Sequence, residues 1–97
     1  MFMAAYIIVN VEVTDTTRYA DYTRVVGDSL VPYEGRFLVR GGKAEKLEGS
    51  LEPKRVVVLE FPSLERAKAW WSSEEYREPK AIRQRSSTTD MIVVDGV

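Results

Sequence analysis

Three polar residues, Asn10, Arg40 and Glu60, fall where strand periodicity puts them on one face of a sheet. An arginine and a carboxylate held in a partly buried compartment suit an anionic or carbonyl-bearing compound, which the guanidinium fork grips through paired hydrogen bonds. In that arrangement Arg40 orients the compound, and Glu60 acts as acid or base beside a carbonyl. The simpler alternative is an ion pair between Arg40 and Glu60, because buried charges are paired whether they function or not. Trp70, Tyr76 and Arg83 extend the candidate ligand-binding set. Trp70 and Tyr76, with Trp71, would form an aromatic wall or lid, and Arg83, with Lys43, would rim the mouth. Aromatics at helical spacing more often fill a core, and surface charges are more often merely solvated.

The chemistry is narrowed by what the chain lacks. It contains no histidine and no cysteine. That excludes thiolate nucleophiles, disulfides, Cys/His zinc sites, Ser-His-Asp triads and histidine-ligated haem. Glu74-Glu75 is an acidic helix start rather than a metal site, since ligation needs carboxylates converging from separate elements. Gly41-Gly42 lacks the spacing and following helix of a phosphate loop. No cofactor is expected. Fourteen Lys and Arg against fifteen Asp and Glu leave a net charge of −1, unlike the basic excess of a nucleic-acid binder. No apolar run reaches the ~20 residues of a membrane span. The first residues lack the pattern of a signal peptide. A cytoplasmic protein, contacting neither nucleic acid nor membrane, is the expectation.

Ninety-seven residues make one domain, residues 1–97. Ala5 to Val13 reads as a strand. Asp15-Thr16-Thr17 offers helix caps, and Tyr19, Tyr22, Val25, Val26 and Leu30 recur at helical spacing up to Pro32. Arg36 to Arg40 reads as a second strand, which Lys43 to Glu48 would prolong beyond the glycines. Arg55 to Phe61 is the clearest strand, rich in β-branched residues. Ser63 caps a helix from Leu64 to about Ser72, and Ser72 or Ser73 caps another short helix. Pro79 interrupts that stretch and leaves Lys80 to Arg85 as a separate turn or two. Thr89 to Asp95 is the last strand. The order β-α-β-β-α-β is the ferredoxin-like arrangement, an α+β fold with a four-stranded antiparallel sheet and the helices on one face.

Alternation assigns Ile7, Val9, Val11, Phe37, Val39, Val57, Leu59, Phe61, Ile92 and Val94 to the helix side. The other face receives Tyr6, Ile8, Asn10, Glu12, Arg36, Leu38, Arg40, Val56, Val58, Glu60, Met91, Val93 and Asp95. That second face is too apolar for open solvent. A second copy of the same sheet is the economical cover, giving a two-fold homodimer.

The residues Arg40-Gly41-Gly42, Leu47-Glu48-Gly49 and Arg55 through Pro62, then Ala69-Trp70-Trp71-Ser72-Ser73-Glu74-Glu75-Tyr76, resemble the family catalogued as domain of unknown function 1330 (DUF1330). Arg83 and the closing Thr89 to Gly96 segment fit as well, so the resemblance spans Ala4 to Gly96. It implies the dimeric α/β-barrel superfamily, in which two ferredoxin-like sheets pack face to face. Relatives there include small monooxygenases without metal or flavin, haem-degrading enzymes, muconolactone isomerases and stress-responsive proteins. Many family members carry a histidine just before the glycine that precedes the second strand. Here the local sequence is Pro32-Tyr33-Glu34-Gly35, so no histidine role carries over. Two readings follow: a cofactor-free isomerase or monooxygenase-like enzyme acting on a small carbonyl compound, or a non-catalytic ligand-binding or stress-related dimer.

Overall fold

The computed structural model describes residues 3–97. Strand β1 (Ala5–Val13) leads into helix α1 (Thr16–Leu30), a short 3₁₀ turn (Val31–Tyr33) and strand β2 (Arg36–Arg40). Strand β3 (Arg55–Phe61), helices α2 (Leu64–Trp71) and α3 (Glu74–Ser86), and strand β4 (Ser87–Asp95) complete the chain. The four strands form one antiparallel sheet in the order β2-β3-β1-β4. This is the ferredoxin-like arrangement expected from the sequence, with the second helical element in two pieces.

Each helix begins at a side chain that can accept from a free backbone N–H. Asp15 accepts from the Arg18 amide, Ser63 from that of Arg66 and Ser73 from that of Tyr76, each at 3.1 Å. Pro79 does not divide α3, which runs unbroken to Ser86. The proline is the sixth residue of α3, past the first turn, so the helix continues despite one missing N–H to the Glu75 carbonyl. The residues Lys43 to Glu48 add no strand; 41–54 is one long, largely exposed loop. Asn10 fastens its end, donating to the Glu52 carbonyl at 3.0 Å and accepting from the Lys54 amide at 2.8 Å.

The core lies between the helices and the sheet. Tyr19, Tyr22, Val26 and Leu30 of α1, with Ala67, Trp70 and Tyr76, pack on Ile7, Val9, Val11, Val57, Leu59 and Phe61. Val25 stays outside this stripe, exposed on α1.

Two strands carry a register that simple alternation misassigns. In β2 the pairing runs Phe37 to Leu59 and then Val39 to Val58. Leu38 is therefore an extra residue, a bulge that reverses the side on which later residues project. Val39 joins the open face and Arg40 turns toward the helices. In β4, Met91 pairs with Val9 and Val93 with Ile7. Met91 and Val93 therefore share the helix side, and Ile92 and Val94 lie on the open face. Four consecutive apolar residues, 91–94, carry no alternation to read. Their register follows from the junction with α3, because β4 begins immediately after Ser86.

Candidate functional site

A cavity of about 770 Å³ opens between α2, α3 and the β1–β4 edge of the sheet. That volume falls within the range of small-molecule sites. It exists because the helices do not fully cover β4, whose Ser87, Thr89 and Met91 are only half-buried. Ile7, Ala67 and Met91 give it an apolar floor, and Trp71 forms one wall. Lys80 lies over the Trp71 ring at 3.7 Å from its centre and donates to the Trp71 carbonyl at 2.7 Å. The aromatic wall is thereby braced from behind.

Among the described residues two cations, Lys68 and Arg83, line the cavity, and no Asp or Glu does. Arg83 is the unusual one, since only 6% of it is exposed. Its Nε donates to the Tyr76 hydroxyl at 3.1 Å, and that hydroxyl bonds the Tyr22 hydroxyl at 2.9 Å. Neither partner is a carboxylate, and Arg83 takes part in no ion pair among the described residues. Burial, reinforced by the neighbouring Tyr76, pushes the Tyr22 phenol far above its ordinary range. The Tyr22 hydroxyl is therefore neutral and leaves the guanidinium charge uncompensated. Beside it Ser87 donates to the Arg83 carbonyl at 2.6 Å, and its Oγ lies 2.8 Å from the Thr89 hydroxyl. With the Ser87 proton so committed, Thr89 is the donor of that pair, and its remaining lone pairs can accept from a ligand.

The candidate residues read from the sequence are divided by the sheet. Glu60 lies on the open face, paired with Arg36 at 2.5 Å, and its side chain is 21% exposed. Asn10 is on the same open face, engaged with the loop. Arg40 is not beside Glu60. The Leu38 bulge sends it to the helix side, where it donates to the Thr23 carbonyl at 2.8 Å and stacks on Phe37 at 4.2 Å. The expected Arg40–Glu60 pair is thus replaced by Arg36–Glu60. Trp70 and Tyr76 are fully buried core side chains with their rings 3.9 Å apart. Trp70 donates to Ser29 at 3.0 Å, so neither is an exposed lid. Arg83 is a buried lining residue rather than a solvated rim charge. Trp71, named with Trp70 and Tyr76 as an aromatic wall, does line the cavity, whereas Lys68, Ser87 and Thr89 were not among the sequence candidates, and types so common give no signal before the two helices are placed.

A family model described as "Domain of unknown function (DUF1330)" matches residues 4–97. The chain belongs to the DUF1330 family. No curated protein matches this DUF1330 chain. Among solved structures it is similar to a protein of unknown function from Rhodopseudomonas palustris, at 18% identity and a TM-score of 0.78, covering 100% of this chain and 85% of that one. It is also similar to SnoaB, a cofactor-independent oxygenase from Streptomyces nogalater, at 7% identity and a TM-score of 0.61, covering 97% and 92%. A conserved protein of unknown function and possible oxidoreductase from Bacteroides thetaiotaomicron shares 12% identity at a TM-score of 0.54, covering 97% of each chain. At these identities the likeness extends to the DUF1330 fold alone. No helix among the described residues is long and apolar enough to cross a membrane.

Proposed function

We propose that the protein binds a small organic anion, with a carboxylate or an enolisable carbonyl, in the cavity between α2, α3 and β4, with Arg83 as its anchor. The observation that carries the reading is the buried Arg83, whose guanidinium is held by the Tyr76 hydroxyl and pairs with no carboxylate among the described residues. A cation removed from water without a counter-charge costs several kcal/mol. A ligand carboxylate or enolate would offset that cost, and Lys68 would add a second positive charge. Trp71 and the apolar floor would take the ligand's hydrocarbon part.

The test is a thermal-shift and calorimetric screen of small aromatic and aliphatic carboxylates, each beside its neutral amide. Carboxylates are expected to raise the melting temperature and amides to leave it unchanged, with the response lost in Arg83→Gln. Equal responses to acid and amide would overturn the reading.

Turnover is a second reading, favoured by the same cation. A guanidinium at a carbonyl oxygen stabilises the enolate that forms when a solvent water or hydroxide admitted to the open cavity takes the proton from the neighbouring carbon. The shared fold with a cofactor-independent oxygenase makes such chemistry worth assaying. Deuterium exchange at the carbon beside the carbonyl of a bound ketone, followed by NMR, would reveal it. An exchange rate equal to that in buffer alone would leave binding as the function. Catalysis by Glu60 belongs to a different compartment, one enclosed between two stacked sheets. We also infer that the open face closes on a second copy, because Ile8, Val39, Ile92 and Val94 are exposed there together.

A further inference from the structure

Between α1 and the sheet lies a second gap, of about 20 Å³. Three arginines line it, Arg40, Arg55 and Arg83, together with Tyr22 and apolar core side chains, and none of the described residues in its lining is Asp or Glu. Six ion pairs occur among the described residues, and none includes any of these arginines. The Arg55 Nε is fully enclosed and has no hydrogen-bond partner among the described residues. Its guanidinium is pressed against Gly41, where a Cβ would collide with it, and its central carbon lies 5.6 Å from the Tyr19 ring centre. Arg83, almost wholly buried, supplies the inner wall. Arg40, more exposed, closes the outer side from its anchor on the Thr23 carbonyl.

We propose that this gap is a binding site for one small monovalent anion of the halide class. Three cations lining one space repel one another, most strongly on the enclosed side where Arg55 and Arg83 are screened least by water. A water molecule would satisfy the Arg55 N–H but leave the charge uncompensated; a single anion does both. The size selects the class, because a cavity needs roughly 10–15 Å³ to hold one water-sized particle. About 20 Å³ therefore admits a monatomic ion and not an organic acid. The site is distinct in occupant from the larger cavity, with which it shares Arg83 and Met91 as a common wall.

The experiment replaces sodium methanesulfonate, which is neither a halide nor a carboxylate, with sodium bromide at constant ionic strength and follows thermal unfolding, with anomalous scattering from bromide-grown crystals. A rise of roughly 5 °C or more is expected at bromide ten times its Kd, growing with the logarithm of bromide beyond that, with a bromide peak between Arg55 and Arg83. Arg55→Met should lose the rise. Arg36→Met, which alters an exposed guanidinium on the opposite face, should keep it, as should Lys68→Gln in the larger cavity. Identical melting in the two salts, or bromide found only on the outer surface, would overturn the proposal. Should Arg55→Met fail to fold, the bromide position in the parent protein decides the matter by itself. A carboxylate response in the larger cavity without a halide response would sink this inference alone.

Discussion

The Nε of Arg83 donates to the Tyr76 hydroxyl at 3.1 Å from two turns further along the same helix. Tyr76 in turn has Tyr22 at 2.9 Å, so removing the guanidinium orphans no polar atom. Arg83→Met is therefore expected to leave unfolding free energy unchanged or raise it by about 1–2 kcal/mol, as replacements of buried charge by apolar groups often do. Carboxylate affinity should fall about ten- to a hundredfold, the worth of a hydrogen bond to a charged group. Urea denaturation and calorimetry on one variant check both. A loss of 3 kcal/mol in stability would make Arg83 a structural post instead.

Tyr22 ties stability to alkaline pH. Its phenol is held protonated in the fold by burial and by the Tyr76 hydroxyl, while in the unfolded chain it ionises near pH ~10. Its folded pKa is the raised one, so its contribution is complete below ~10 and is lost as pH climbs beyond it. Tyr22→Phe should flatten the fall of stability between about pH 9 and 11. Denaturation midpoints across that range, compared with the parent, measure the difference. An unchanged slope would mean that the phenol ionises freely in the folded protein.

Glu60 and Arg40 separate in their expected effects because the sheet lies between them. Glu60→Gln breaks an ion pair to an Arg36 side chain that is 70% exposed, and such pairs contribute about 0–1 kcal/mol. It should leave the carboxylate response of the cavity unaltered. Arg40→Met loses a hydrogen bond to the Thr23 carbonyl and a stack on Phe37, costing about 1–2 kcal/mol. A carboxylate response abolished by Glu60→Gln would return the site to the open face.

The sequence made the element order and the helix starts legible, because Asp15, Ser63 and Ser73 combine a short polar side chain with the apolar spacing that follows. Which residues share a face was less legible. Strand alternation holds only where pairing is regular, and the extra residue Leu38 inverts everything after it in β2. One displaced residue is enough to move Arg40 from one compartment to the other. The strand-start Arg55 carried a usable signal, since it has the parity of Val57, Leu59 and Phe61 and so points a charge toward the core. The cavity itself was beyond local reading, because it depends on how far α2 and α3 stand from β4.

Gly35 illustrates a constraint that only packing exposes. A Cβ there would lie 2.6 Å from the Phe61 ring and 3.0 Å from Leu30, both core side chains with little room to retreat. Gly35→Ala should cost about 1–3 kcal/mol through overpacking and lower the melting temperature by roughly 4–8 °C per kcal/mol. A neutral effect would show that the α1–β2 connection shifts freely.

The open face gives the assembly prediction its numbers. β1 and β4 are nine residues long, β3 seven and β2 five, and at ~3.3 Å per residue and ~4.8 Å between strands the face covers roughly 480 Å² per protomer. Two such faces together come close to the ~1,000 Å² that separates a specific interface from a casual contact. Ile8 lies on the central strand, opposite Val58 on one side and Ile92 on the other. If the proposed face-to-face dimer forms, Ile8→Asp would bury one carboxylate from each chain in it, while leaving the helix-side core of its own chain untouched. Light scattering at micromolar concentration should give about twice 11.1 kDa for the parent and the single-chain mass for Ile8→Asp, with the far-ultraviolet spectrum preserved. A parent protein that runs at the single-chain mass would leave the exposed Ile8, Val39, Ile92 and Val94 without a partner copy and remove the dimer.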